Sequence, residues 1–278
     1  MQKSFVTKFV PALALASVLS LTQTSNAQFA ASVVSYNSGV GFQPGYTTPS
    51  SALGEPSRVT PGMYGGPVNP FNSAYLDSQV VSIGVGGSLT VQFSSPILNN
   101  PGNAFGLDFN IFGNAGFVIT NEYDFNTFDW VGTPATSGSL YGSDATATRV
   151  SVSSDGINYF TLNPTLAPTV DALFPTDGLG DFGLMVNPAL TAADFAGLDL
   201  AGIRALYNGA SGGRGYDISW AQDGLGQSVL LASVEFVRIE VLAGNAEIDG
   251  LVAVPEPTTL SLAFLGLGAL IVARRNRA

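Results

Sequence analysis

The chain has 278 residues, with 10 Lys and Arg against 20 Asp and Glu, a formal net charge of −10, and neither histidine nor cysteine. An acidic balance disfavours a nucleic-acid partner, because phosphate contact needs a basic footprint. The missing residue types exclude disulfides, imidazole-ligated metals, a histidine switch and any Ser-His-Asp or Cys-His nucleophile, which leaves carboxylate chemistry: oxygen-ligated calcium or a paired-acid glycosidase.

In chain order, Lys3 and Lys8 form a basic start and Val10 to Leu21 is mostly apolar. Small residues follow at Ser25 and Ala27. Residues 1–27 read as a secretory signal peptide cleaved after Ala27. From Gln28 to Val254, five arginines stand against 19 acids, a formal charge of −14, with no lysine. That span is large enough for one all-β domain. Residues 43–70, rich in proline and glycine, read as a long ordered loop or arm.

Then come alternating segments. In SLTVQF, Leu89, Val91 and Phe93 share a face. In FGLDFNIF, Leu107, Phe109 and Ile111 oppose Asp108 and Asn110. NEYDFNTFDW gathers Tyr123, Phe125, Phe128 and Trp130 with Asp124 and Asp129. An aromatic platform beside acids suits a sugar face. The plainer reading puts Phe125 and Phe128 in the core, with only the loop tip wet. TRVSVSSDGINYF is a hairpin candidate, with a type I′ turn expected at Asp155-Gly156. Thr191 and Asp194 resemble a capping box, which predicts one helix from there to Gly202. GASGGRG (Gly209 to Gly215) lacks the Lys-Ser/Thr of a phosphate cradle and reads as a loop. EFVRIEV sets Val237, Ile239 and Val241 on one face. In AEIDGLV, Glu247 and Asp249 share one side, and Ile248 and Val252 the other.

The end of the chain is Pro255, Glu256 and Pro257, a run from Leu260 to Ala273 without charge, then Arg274, Arg275 and Arg277. As a helix from Thr258, the run reaches about 24 Å, short of the roughly 30 Å bilayer core. The basic end suits a cytoplasmic membrane face. This order of elements over residues 255–278 resembles the PEP-CTERM protein-sorting signal. The resemblance implies recognition by an exosortase, an integral-membrane transpeptidase-like enzyme, with processing near Pro-Glu-Pro. It also implies export by a Gram-negative bacterium, often one that makes exopolysaccharide. The membrane is then a partner through the tail, before processing.

Three body segments resemble a recurrent type of surface protein with such a tail: SIGVGGSLTVQFSSPILNNPGNAFGLDFNIFGN, VSVSSDGINYF, and GGRGYDIS with VRIEVLAGNAEIDGLVAVPEP. The stretch from Pro164 to Leu190 matches poorly, and Phe112-Gly113-Asn114 lacks the acid that the type often carries. The type looks like a jelly roll, similar to discoidin-type and carbohydrate-binding modules. The fold class expected is therefore all-β: a jelly-roll-like antiparallel β-sandwich with one short helix. It is flanked by an N-terminal signal peptide and a short C-terminal transmembrane helix.

Asp108, Asn110, Asp217, Glu247 and Asp249 offer hard oxygens from three distant segments, as calcium requires. The resemblance implies a structural calcium held partly by an acid of the last strand. The alternative is that these acids are solvated or cap turns. TDGLGD (Thr176 to Asp181) and AQDGLGQ (Ala221 to Gln227) resemble each other and read as turns. The function expected is an exported, non-catalytic surface or matrix protein associated with exopolysaccharide. The alternatives are a calcium-dependent glycan-binding module or a hydrolase using paired carboxylates.

Overall fold

The computed structural model describes residues 27–63, 65–142 and 144–255. The expected signal peptide up to Asn26, Glu256, Pro257, the apolar run, Arg274 and Arg275 lie outside the described residues. Among the described residues, no helix is long and apolar enough to cross a membrane.

The strands follow one another as β1 (Gln28–Asn37), β2 (Val59–Thr60), β3 (Gly66–Pro67), β4 (Val81–Ile83), β5 (Ser88–Leu98) and β6 (Phe109–Gly113). Next come β7 (Gly116–Ile119), β8 (Tyr123–Asp124), β9 (Asp129–Trp130), β10 (Thr136–Tyr141), β11 (Ala147–Ser153) and β12 (Phe160–Leu162). The single α-helix among the described residues, α1 (Leu200–Tyr207), precedes β13 (Arg214–Tyr216), β14 (Ala221–Gln222), β15 (Ser233–Ala243) and β16 (Ala246–Ala253).

These strands build a curled, jelly-roll-like sandwich. One layer runs β13-β6-β16, and the other β1-β5-β15-β11-β12-β14. Every named strand pair is antiparallel. Strand β1 joins the layers. Gln28 and Phe29 pair with Ala253 and Val252 of β16, while the strand from Ala30 onwards pairs with β5. Register shifts between Ala30 and Ser32 and between Val33 and Ser35 accompany the change of partner. Such irregularities let a strand turn the corner between packed sheets.

The alternation in β5 and β15 is realised. Leu89, Val91, Phe93, Val237, Ile239 and Val241 face Phe109, Ile111, Ile248 and Leu251 across one core. Phe109 and Tyr216 stack with centroids 5.3 Å apart. Each such ring stabilises the fold by about 1.5–3 kcal/mol.

Four expectations need correction. Strand β16 carries a bulge between Ile248 and Gly250, opposite β6. The extra residue reverses the alternation beyond it, so Ile248 faces the main core while Val252 packs with Phe112 and Phe182 behind the sheet. The Thr191–Asp194 capping box exists, but it closes only a 3₁₀ turn over Ala192–Phe195. The α-helix starts later, with Asp199 accepting from Gly202 N at 2.8 Å, so Gly202 belongs to its first turn rather than its end. The β11–β12 connection spans residues 154–159, longer than a two-residue turn. Asp155 organises it by accepting from the N–H groups of Ile157 and Asn158, each at 2.8 Å. In the glycine-rich loop, Arg214 and Gly215 turn out to open edge strand β13, paired with Ile111 and Asn110.

The segment after β12 covers the outer face of the first layer. Asn110 Nδ2 donates to Gly212 O at 2.8 Å, and Phe182 meets Phe112 edge-on at 5.1 Å. Beyond it, Phe117, Phe174, Phe195, Ile203 and Tyr207 form a second small core with α1 and the β7–β10 ladder.

Candidate functional site

The hairpin of β8 and β9 brings Tyr123, Asp124, Asp129 and Trp130 into register, Tyr123 opposite Trp130 and Asp124 opposite Asp129. The Tyr123 ring meets Trp130 edge-on at 5.0 Å and Phe125 at 5.1 Å. Phe125 is 78% exposed and Phe128 77%, which overturns their expected place in the core. Strands β8 and β9 form a two-stranded sheet of their own, and two residues on each strand cannot bury rings by themselves. At its tip, Asp124 Oδ1 accepts from Asn126 N at 2.8 Å and Asn126 Nδ2 at 3.0 Å, and these bonds hold the carboxyl below its usual pKa. Asn121 ties the base by donating to Val131 O and Thr133 O and accepting from Ala135 N.

A groove of about 540 Å³ lies at the foot of the hairpin, lined by Phe71, Ile119, Pro134 and Leu200 with Asn69, Asp199 and Arg204. Arg204 is fixed by two bonds to Asp177, Nε to Oδ2 at 2.6 Å and Nη2 to Oδ1 at 3.0 Å. Sequence reading missed this groove. Its walls come from segments more than a hundred residues apart, and only the helix position could have hinted at Asp199 and Arg204.

The five calcium candidates do not share one cage. Asp108 is buried and accepts from Asn100 N at 2.9 Å, Asn103 Nδ2 at 3.1 Å and Ile218 N at 2.9 Å. Burial pushes its pKa up to about 6, with the neighbouring Asp217 carboxylate adding to the rise. Asp217 itself accepts from Ser219 N at 2.7 Å. Asn110 points away from that pair, to Gly212. Glu247 accepts a short bond from Asn114 Nδ2. Asp249 accepts from Ser57 N and Oγ. Among the described residues, no three acidic side chains converge as a metal cluster would require.

Asp171, in the stretch that matched poorly, carries no sequence signal. It is buried, accepts from Ala115 N and Glu247 N at 2.9 Å each, and burial raises its pKa to about 7.

The first and last of the described residues meet at one place. Gln28 pairs with Ala253, Val254 N donates to Asp108 O at 2.8 Å, and the Pro255 ring lies against Gly183, where a Cβ would sit 2.8 Å from it.

A β-sandwich whose last strand runs straight into a Pro-Glu-Pro step defines the class: a folded body carrying a C-terminal sorting tail. Residues 253–278 match the PEP-CTERM protein-sorting motif. The match covers the tail and implies export, with processing by an exosortase while the chain is membrane-anchored. No curated protein matches the chain.

Proposed function

We propose that this exosortase substrate is a non-catalytic component of the cell surface or extracellular matrix that holds exopolysaccharide through the Tyr123–Trp130 hairpin. The exposure of Phe125 and Phe128 carries the reading. Two large rings held in water beside hydrogen-bonding acids are costly unless something covers them. Sugar rings offer C–H faces to the aromatics and hydroxyls to Asp124 and Asp129. The groove with Arg204 and Asp199 extends the surface available to a chain of sugars.

Covering a phenyl ring is worth about 1.5–3 kcal/mol, and each 1.4 kcal/mol is tenfold in affinity. Replacing Phe125 and Phe128 together by Ala is therefore expected to weaken retention on the producer's own polysaccharide at least tenfold, with an unchanged melting temperature. Equal retention of the variant and the parent would remove the hairpin from the reading.

A hydrolase would need an accessible acid pair. Asp171 and Glu247 are neighbours, but Asp171 is buried and its oxygens are occupied by backbone N–H groups. That geometry takes Asp171 and Glu247 out of consideration as an acid pair.

A further inference from the structure

The two Asp-Gly-Leu-Gly turns share a local design and differ in their surroundings. Asp177 Oδ1 accepts from Leu179 N at 3.2 Å, and Asp223 Oδ1 accepts from Leu225 N at 2.9 Å. Leu179 is 71% exposed and Leu225 85%. The Asp223 turn closes on itself, with Gly226 N donating to Asp223 O and Asp223 N to Gln227 O. The Asp177 turn is braced from outside. Asp177 N donates to Ser211 O and Gly178 N to Val68 O, each at 2.9 Å. Arg204 clamps the Asp177 carboxylate. Arg58 Nη1 donates to Gly178 O at 2.5 Å and Gly180 O at 3.2 Å, and its guanidinium sits 4.6 Å from the Phe182 ring centroid. A Cβ on Gly178 would lie 2.7 Å from the Arg58 backbone, so this approach requires glycine.

One exposed leucine signals nothing by itself. The place of Leu179 does. In the uncleaved chain it rims a cavity of about 690 Å³, whose wall within the body, beyond the expected cleavage site, includes Phe29, Glu55, Arg58 and Phe182. The same surface is where the described chain ends, with Pro255 against Gly183, one residue from Phe182. The sorting motif begins at Ala253, inside the β1–β16 ladder. From Pro255 to Pro257 is two residue steps, about 7 Å of chain at full stretch. An enzyme acting at Pro-Glu-Pro therefore has no linker to work on and meets the folded surface.

We propose that the groove framed by Phe29, Arg58, Leu179 and Phe182 is the seat of the exosortase, which reads the folded body as well as the tail. This rests on the sorting function implied by the motif. A braced turn loses little conformational freedom when covered, which favours its use as a docking point. Glu55 is paired with Arg58 there, and Asp181, which accepts from Gly183 N, adds an acid with no cation beside it among the groove residues. The enzyme's facing loop therefore places an apolar side chain on Leu179 and a basic or N–H donor group beside those acids.

The test follows processing of the full chain in producing cells, by pulse labelling and intact mass. Leu179→Asp is compared with Leu225→Asp on the twin turn, in the parent strain and in a strain without exosortase. Leu179→Asp is expected to slow tail removal at least threefold, while Leu225→Asp matches the parent. Leu179→Ser, which keeps the turn and its charge, is expected to slow it in the same direction with an unchanged melting temperature. Exosortase-dependent processing at the parental rate in both Leu179 variants overturns the docking surface. Tail removal that persists without exosortase overturns the sorting function itself, a separate outcome.

Discussion

Asp249 carries a carboxyl into the middle of the first layer, where Ser57 N donates to Oδ2 at 2.9 Å and Ser57 Oγ to Oδ1 at 2.8 Å. Burial pushes its pKa up to about 7, against which the Ser57 bonds pull. Asp171 and Asp108 are raised by the same cause, to about 7 and about 6. A raised acid holds its proton longer in the folded state than in the unfolded chain. Its contribution is thus fully present below the unfolded pKa near 3.8 and is lost as pH rises through 6 to 7. Asp155 acts oppositely. N–H groups of Asn158 and Ile157 hold it far below the usual carboxylate range, so its contribution fails only in strong acid. The melting temperature is expected to fall from about pH 4.5 to about pH 8. Asp249→Asn can turn its one amide oxygen to the Oδ2 position, where it accepts from Ser57 N, and can donate its amide N–H to Ser57 Oγ. The variant should match the parent near the acid end and exceed it at the alkaline end. Destabilisation at both ends would mean that the charged carboxylate, not its burial, is what the site uses.

At the scale of elements, the helix shows what a linear pattern can and cannot locate. Two capping acids stand in tandem, Asp194 for the 3₁₀ turn and Asp199 for α1, and the sequence offers both without ranking them. Both elements reach the second core, Phe195 from the first and Ile203 and Tyr207 from the second, but the first turn runs into Gly197 at a positive φ of 79° while the second continues to Tyr207. Asp199→Ala removes the acceptor for Gly202 N and is expected to cost about 1 kcal/mol. In a domain of this size that lowers the melting temperature by roughly 2–4 °C; no change would show that tertiary contacts alone hold the helix start. The stretches Leu89 to Phe93 of β5 and Val237 to Val241 of β15 were legible because their period of two is unbroken there. Strand β16 was not, since one bulge inverts the pattern after Asp249. Asp108 and Asn110 looked like a solvated face because nothing in FGLDFNIF reveals the distant segment that covers it. The hairpin aromatics could be named from composition. Their exposure could not, because it depends on β8 and β9 forming a two-stranded sheet apart from the main one.

Across the whole molecule, charge is poorly balanced by pairing. Among the described residues the ion pairs are Arg58–Glu55, Arg149–Glu240 and Arg204–Asp177. Arg238 lies over the Tyr159 ring at 3.6 Å and Arg214 over Phe174 at 5.5 Å, so both cations spend their charge on aromatic faces. Most acids instead accept from backbone N–H groups, which satisfies oxygens without cancelling charge. A body of −14 therefore repels itself at long range. Salt screens that repulsion over about 8 Å at 0.15 M, so the melting temperature is expected to climb with sodium chloride from low ionic strength. Divalent ions separate screening from a site. Because no three acidic side chains converge among the described residues, calcium and magnesium chloride at equal ionic strength are expected to raise the melting temperature alike. A saturating rise with calcium that magnesium does not reproduce would instead return the calcium site to the Asp108–Asp217 pair, whose backbone donors would then have to yield to the ion.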